Sequence, residues 1–199
     1  FMKSRLYKIL AAFACITLLS CEKDFLDINA DPNNPLDVSL DLLLPSAQLD
    51  LAGALGTNGG GLTATTATYM HQWVQRGNTI NDYAIQGSDF GVTAPWLVLY
   101  TRAIADVEII IEKGTQQEAY PYVGIAQVMK AYAYSLMVDV WGDVPFSEAH
   151  KIDNFSPQYE NGEAIYPQLS ALLDEGIQNL EAESAFTVGS DDLFYGGDA

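Results

Sequence analysis

An all-α fold of stacked helical hairpins is the architecture that this sequence predicts. Apolar side chains recur at helical spacing in five segments between residues 44 and 181, and glycine or proline follows the first four of them. No run of residues alternates between apolar and polar side chains as half-buried strands do. The chain has 199 residues, of which 49% are hydrophobic, and this is enough to bury a core.

The first two predicted helices are short. One begins near Leu44, tolerates Pro45 in its first turn and ends in the glycine-rich residues 56–61. Those glycines lack the Lys-Ser/Thr pair of a phosphate-binding loop, so a flexible loop is the simpler interpretation. The second predicted helix covers Thr63–Arg76, with Met70 on its core face. In residues 78–94 the apolar side chains show no sustained helical or strand periodicity, so these residues are predicted to form a long loop.

Three longer helices follow. They are predicted over Trp96–Lys113, with Gly114 as the end, over 121–140, and over 163–181. The middle one is apolar on one side and carries small residues on the other, namely Gly124, Ala131 and Ser135, which are predicted to let another helix approach closely. Helices of this length with short connections pack as antiparallel hairpins that stack on one another, so the predicted arrangement is tetratricopeptide-like.

The N-terminus predicts a bacterial lipoprotein. Basic residues precede an apolar stretch from residue 9 to residue 19, which is typical of a signal peptide and too short to span a bilayer. Leu18-Leu19-Ser20-Cys21 matches a lipobox, in which the cysteine receives acyl chains such as palmitate and cleavage precedes it. An ordinary secretory signal with a chance cysteine is the alternative. We assign residues 1–20 to the signal peptide, 21–43 to a lipidated strap and 44–199 to a partial helical domain.

Composition argues against several other kinds of protein. The net charge of -17 repels phosphate backbones, so nucleic acid is not an expected partner. Both cysteines, Cys15 and Cys21, lie near the N-terminus, so the body of the protein has no disulfide framework. The two histidines, His71 and His150, are far apart in sequence, and no metal site or cofactor is predicted.

One stretch fits the binding of a sugar. Sugars bind to flat aromatic faces that reach solvent beside amide or carboxylate groups. The candidate ligand-binding residues in and beside the predicted long loop are Trp73, Asn81, Asp82, Tyr83 and Phe90. An ordinary surface loop is the alternative. Trp96, Tyr100 and Trp141 are predicted instead to lie in the core, the last of them beside the helix stop at Gly142.

The span from Tyr120 to Ala149, which contains Trp-Gly-Asp-Val-Pro-Phe, resembles the signature helix and turn of the SusD/RagB family. The family order recurs around it, with Asp24-Phe25-Leu26-Asp27 behind the lipobox, Trp96-Leu97-Val98-Leu99-Tyr100 opening a helix, and Pro157-Gln158-Tyr159 before Glu163-Ala164-Ile165-Tyr166. The resemblance covers nearly the whole chain. Residues 191–198 resemble a segment that leads into a further helix in this family, so we expect a truncated N-terminal portion and an incomplete fold.

The resemblance implies a non-catalytic lipoprotein of the outer membrane that faces the cell exterior. Its implied task is to capture glycans or peptides for a TonB-dependent, SusC-like transporter. Two alternatives stay open: a helical-repeat scaffold that binds only protein partners, and a surface glycoside hydrolase, which needs two carboxylates about 5 to 9.5 Å apart. No nucleophile motif supports the hydrolase. The nutrient and the oligomeric state do not follow from the sequence.

Overall fold

The computed structural model describes residues 37–56, 61–72, 90–151 and 153–198, and of Phe90 only the backbone. Within these ranges there is no β-strand, and an isolated antiparallel bridge pairs Val144 with Glu160. The helices in them are α1 Leu40–Leu55, α2 Leu62–Tyr69, α3 Phe90–Val98, a π-helical turn Leu99–Ala103, α4 Ile104–Gln116, α5 Tyr120–Trp141 and α6 Gly162–Leu180. The predicted all-α class is therefore confirmed.

Helix α1 begins at Leu40, directly after Ser39, which is earlier than predicted. Leu40 and Leu43 are buried together with Leu44, so the apolar face is a full turn longer than the prediction assumed. Pro45 consequently lies inside the helix and not in its first turn, and that prediction was wrong. Proline lacks a backbone donor, and the burial of its leucine neighbours offsets this cost.

Helix α2 ends at Tyr69, so the prediction that it continues to Arg76 was wrong. Ala67 is buried, but Met70, which was predicted on the core face, is 71% exposed and does not contribute to the core. The backbone of His71 has φ of 56°, in the left-handed region that a continuing helix does not visit. The change of backbone conformation at His71 thus ends α2 where the apolar pattern alone suggested that it would continue.

The third predicted helix is longer at both ends. It begins at Phe90 as α3, passes through the π-helical turn and ends at Gln116 as α4. Residues 90–94 therefore do not belong to the predicted loop, and Gly114 does not end the helix. Gly114 is buried, and a Cβ atom there would lie 2.7 Å from Cγ2 of Val123. This glycine allows α5 to approach closely, and it does not act as a helix cap.

Helices α4 and α5 form an antiparallel hairpin across a connection of three residues, 117–119. Gly114 near the end of α4 faces Val123 near the start of α5. Farther from the connection, Lys130 Nζ of α5 lies 2.6 Å from Glu108 Oε1 of α4. Residues later in α5 contact residues earlier in α4, so the two helices run in opposite directions.

Helix α6 packs antiparallel on the other side of α5. A Cβ atom on Gly124, near the start of α5, would lie 2.8 Å from the carbonyl oxygen of Gly176, near the end of α6. A Cβ atom on Gly162, the first residue of α6, would lie 2.9 Å from the carbonyl oxygen of Gly142, just after α5. The predicted close approach at Gly124 is confirmed, since the two backbones nearly touch there.

Helix α1 packs against the π-helical turn and α4 in the same alternating manner. Ser46 Oγ donates a hydrogen bond of 2.8 Å to Asp106 Oδ2, while Asp50 Oδ1 lies 3.7 Å from Arg102 NH1. Helices α1, α4, α5 and α6 therefore form one stack in which neighbours run in opposite directions. The fully buried side chains between them include Leu44, Leu51, Leu99, Ile104, Ile110, Tyr134, Met137 and Ile165.

Candidate functional site

Most of the residues that the sequence proposed for binding lie outside the described ranges. For Phe90 only its position at the start of α3 is described. The residues that fall outside are Trp73, Asn81, Asp82 and Tyr83, together with the predicted lipidation site Cys21. These assignments stay predictions.

Six rings collect where α3 and the π-helical turn meet the end of α5 and the following turn. We call them the aromatic cluster: Trp96, Tyr100, Tyr134, Trp141, Phe146 and His150. The Trp96 ring centroid lies 4.8 Å from that of Tyr100 and 5.2 Å from that of Trp141, the second pair edge to face. Tyr134 meets Phe146 edge to face at 4.7 Å, and His150 stacks on Tyr100 at 6.0 Å. These tilted and offset arrangements are the ones that ring quadrupoles favour.

The aromatic cluster is buried at its base and open at its rim. Tyr134 is fully buried, whereas Trp96, Tyr100 and Trp141 are half-buried and His150 is exposed. The prediction that Trp96, Tyr100 and Trp141 lie in the core was therefore only partly right. Trp141 is the last residue of α5, and it is half-buried.

The turn after α5 is held against the aromatic cluster by hydrogen bonds. Gly142 has φ of 79° and ends α5, as predicted. The Tyr100 hydroxyl donates to the Pro145 carbonyl oxygen at 2.6 Å, and burial is the main reason that the pKa of Tyr100 is raised. Tyr100 is carried by the π-helical turn, in which the Ile104 N–H donates to the Leu99 carbonyl oxygen.

Glu160 lies opposite Val144 in the isolated bridge and helps to hold the same turn in place. Its backbone exchanges hydrogen bonds of 3.0 and 3.1 Å with Val144, and its carboxylate accepts from the backbone N–H groups of Phe146 and Ser147. Burial alone would raise the pKa of the Glu160 carboxyl group, but the bonds from Ser147 and Phe146 lower it below its ordinary value. Glu160 is thus a charged structural anchor.

Charged and polar groups also lie next to the rings of the aromatic cluster. Lys130 Nζ lies 6.0 Å above the Phe146 ring centroid and also pairs with Glu108. Partial desolvation of the His150 ring lowers its pKa, although the residue as a whole is exposed, with Glu108 opposing this shift and Lys130 adding to it. The Tyr134 hydroxyl is buried and has no hydrogen-bond partner among the described residues. A buried hydroxyl without a partner is costly, so Tyr134 contributes to stability through its ring.

A separate cavity of about 490 Å³ lies at the other end of α5. Its walls are the first turns of α5, Leu180 at the end of α6, and the irregular residues 184–198, and its lining is mostly apolar. From Met129, the last of the α5 residues in the wall, to Trp141 is a distance of about 18 Å along the helix at 1.5 Å per residue. The cavity and the aromatic cluster are therefore distinct surfaces.

Segment 184–198 is fastened to the helices by a buried polar pair that sequence reasoning missed. Gln48 of α1 is 1% exposed and donates from Nε2 to Asp192 Oδ1 at 2.6 Å. The same amide accepts from the Leu193 N–H at 2.7 Å, and the Tyr122 hydroxyl donates to Asp191 Oδ2 at 2.6 Å. A glutamine on an otherwise apolar helix face was the only signal of this fastening in the sequence.

The acidic groups around the aromatic cluster are engaged in structural hydrogen bonds. Asp143 Oδ1 accepts from the Gly162 N–H at 3.0 Å at the start of α6, and Glu148 Oε2 accepts from Asn154 at 3.0 Å. Among the described residues, no group of three or more metal-ligating side chains is placed to hold a metal ion. The arrangement offers half-buried aromatic rings, a kind of surface that suits the binding of a ligand.

A stack of antiparallel helices with short connections defines an all-α class of protein built from stacked helical hairpins. A family model described as SusD-like_2, starch-binding associating with outer membrane, matches residues 32–199. The chain therefore belongs to the SusD-like family, as the resemblance in its sequence indicated. No curated protein matches the chain. In the part of the chain that the structure describes, no helix has the length and apolar character needed to cross a bilayer.

Proposed function

We propose that this protein binds glycans at the cell surface and delivers them to a TonB-dependent transporter of the outer membrane. The observation that carries the proposal is the half-buried pair Trp96 and Trp141, in a chain whose family is described as starch-binding. The apolar faces of sugar rings pack on such aromatic rings when one face of the ring remains open to solvent.

The aromatic cluster has the rigidity that a binding platform needs. Tyr134 and Phe146 support the rings from below, and the Tyr100–Pro145 hydrogen bond holds the turn in place. Little side-chain entropy is then lost when a ligand binds, because the rings are already packed. The predicted ligand loop leads directly into α3, where Phe90 precedes Trp96 by about 9 Å along the helix axis. Residues from that loop are therefore candidates for the remaining contacts.

The direct test is binding of linear maltooligosaccharides, measured by isothermal titration calorimetry. Trp96→Ala and Trp141→Ala are each expected to weaken binding roughly tenfold or more, equivalent to about 1.4 kcal/mol. Tyr132→Ala is the matched control, because Tyr132 is 48% exposed on α5 and lies outside the aromatic cluster. If both tryptophan variants bind as tightly as the parent protein, the platform is not the glycan site.

We infer binding without hydrolysis, in contrast to the glycoside hydrolase alternative. Asp143, Glu148 and Glu160 lie around the aromatic cluster, and each accepts hydrogen bonds that hold the local backbone or a side chain, while Glu108 is paired with Lys130. A retaining or inverting mechanism requires two carboxyl groups that are free to act on the substrate. Incubation with starch is expected to release no reducing ends, and a measurable turnover would contradict the inference.

The location at the outer membrane is proposed to depend on Cys21. Cys21→Ala is expected to move the protein from the membrane fraction to the soluble fraction, because the acyl chains supply the anchor. Cys15→Ala is the control and is expected to leave the mature product unchanged. Protease treatment of intact cells would test exposure at the surface, and mild-detergent purification would test for an accompanying TonB-dependent transporter. Protection from the protease would contradict the outward orientation.

A further inference from the structure

Lys130 places a positive charge of α5 next to the aromatic cluster. It is the only lysine or arginine between Lys113 and Lys151, in a chain with nine Lys and Arg against 26 Asp and Glu. Its side chain is 19% exposed, and its neighbours on α5, Met129 and Ala131, are buried. An ammonium group is strongly hydrated in water, so its partial burial here is costly unless specific contacts compensate it.

Two groups from different elements contact the ammonium group. Glu108 Oε1 of α4 lies 2.6 Å from Lys130 Nζ, and Nζ lies over the Phe146 ring, 6.0 Å from its centroid. The carboxylate fixes the direction of the lysine side chain, because a partly buried ion pair is favourable only with good geometry. The ammonium group is thereby held over the electron-rich face of an aromatic ring, and this attraction grows where water is partly excluded.

The position of Phe146 affects the rings at the rim of the aromatic cluster. Phe146 packs edge to face on Tyr134 at 4.7 Å, and Pro145, the residue before it, accepts the hydrogen bond of Tyr100. Tyr100 in turn contacts the Trp96 ring at 4.8 Å. Closely packed side chains transmit a displacement from one to the next, so a shift of Phe146 reaches Trp96 through the turn and Tyr100.

We propose that Lys130 is a positioning residue for the pair Trp96 and Trp141. Held by Glu108, its ammonium group keeps Phe146, and with it the turn after α5, in the position that aligns the two indole rings. The role of that alignment in glycan binding rests on the proposed function. The alternative is an ion pair that only joins α4 to α5, which would affect stability and leave the indole geometry unchanged.

The first readout of the test is spectroscopic and needs no ligand. The indole rings of Trp96 and Trp141 lie edge to face at 5.2 Å, so their electronic transitions couple and give a circular dichroism signal that depends on the angle between them. Trp96→Ala removes the pair and sets the baseline. Lys130→Met keeps an apolar chain without the charge and is expected to lose part of the signal. Lys130→Arg is expected to retain it, because a guanidinium group also pairs with carboxylates and stacks on rings.

The second readout is the affinity for linear maltooligosaccharides, measured by isothermal titration calorimetry on variants shown to be folded. Lys130→Met is expected to weaken binding roughly fivefold, because a displaced ring loses part of its packing on the sugar. Lys130→Arg is expected to bind like the parent protein. Lys113→Met is the matched control, since it removes the same charge from the last turn of α4, next to the opposite end of α5, and it is expected to change neither readout.

A double variant separates the positioning role from the pairing of charges. Lys130→Met alone leaves the Glu108 carboxylate without its partner, whereas Lys130→Met combined with Glu108→Gln removes both charges. The double variant is expected to regain stability in urea but not the indole signal, because the Phe146 ring still lacks its cation. Recovery of the signal in the double variant, or an unchanged signal in Lys130→Met, overturns the proposal.

The two readouts also distinguish this proposal from glycan binding itself. If Lys130→Met loses the indole signal and the parent protein binds no maltooligosaccharide, the proposed function is wrong and the positioning role stands. If the parent protein binds, and Lys130→Met binds equally tightly with an unchanged signal, Lys130 only joins the two helices. Loss of both signal and affinity in Lys130→Met, with rescue by Lys130→Arg, supports the proposal.

Discussion

The two ends of α5 are covered by irregular segments that are attached by different physical means. At the C-terminal end, the turn at residues 142–150 rests on the rings of the aromatic cluster. At the N-terminal end, segment 184–198 is attached through the buried pair Gln48 and Asp192. The first attachment combines ring packing with the hydrogen bonds of Tyr100 and Glu160, whereas the second depends on the ionisation and alignment of a few buried polar atoms. Truncation of a packed ring is therefore expected to be costly at the C-terminal end of α5, and removal of a polar partner at its N-terminal end.

The largest expected change in the free energy of unfolding comes from substitution of Tyr134, the buried residue of the aromatic cluster. Tyr134→Ala leaves a cavity beneath Tyr100 and Phe146 and is expected to lower the free energy of unfolding by about 3 to 5 kcal/mol. Tyr134→Phe is expected to raise it by about 1 kcal/mol, because the hydroxyl that it removes has no partner. Urea denaturation followed by circular dichroism measures both. A loss of stability in Tyr134→Phe would show that the hydroxyl is hydrogen-bonded in solution.

A smaller effect is expected at the opposite end of α5. Gln48→Ala removes a donor from the buried Asp192 carboxylate and the acceptor of the Leu193 N–H, at an expected cost of about 2 kcal/mol. Gln116→Ala is the control, because Gln116 makes only an exposed contact of 3.4 Å with Glu112 and is expected to leave stability unchanged. The same urea titration measures both variants. Equal stability of the two would mean that segment 184–198 is held by its apolar contacts alone.

The smallest expected effect is a difference in how far acid lowers the melting temperature of the parent protein and of a variant at Asp192. Burial would raise the pKa of Asp191 and Asp192, but hydrogen bonds from Tyr122 and Gln48 respectively, with backbone N–H groups, lower both below the ordinary value. The stabilisation is therefore fully present above the unfolded pKa of about 3.9 and is lost as pH falls through the lower folded values. Melting temperatures measured between about pH 5 and about pH 2 are expected to fall less in Asp192→Asn than in the parent. Parallel curves would contradict the linkage.

Helix type and order could be predicted from periodicity, but the ends of α1 to α4 could not. The bounds of α5 and α6 agree closely with their apolar patterns, since Pro121 lies at the start of α5 and Gly142 just after its end. Pro45 and Pro95, by contrast, lie inside helices, and Gly114 is an interior contact point. Local rules treat proline and glycine as helix breakers, whereas packing against neighbouring helices can offset the local cost.

The candidate site was harder to predict than the fold. Trp96 and Trp141 follow the apolar stripes of their helices, so the sequence placed them in the core, yet the structure leaves each of them half-buried. Periodicity shows which side of a helix a ring occupies but not whether another element covers it. The ring contact of 5.2 Å joins Trp96 and Trp141, which are 45 positions apart in the chain, and no local pattern encodes it.

The sequence by itself determined that this protein is helical, that its helices follow one another as hairpins, and that it resembles the SusD/RagB family. These properties depend on residues close together in the chain, where a period of 3.6 or a short motif is sufficient. Only the tertiary structure decided that the aromatic cluster opens to solvent and that Gln48 holds Asp192, 144 residues away. Burial and hydrogen bonding of this kind depend on which segments, distant in the chain, come into contact. The packing of the whole helical stack determines those contacts.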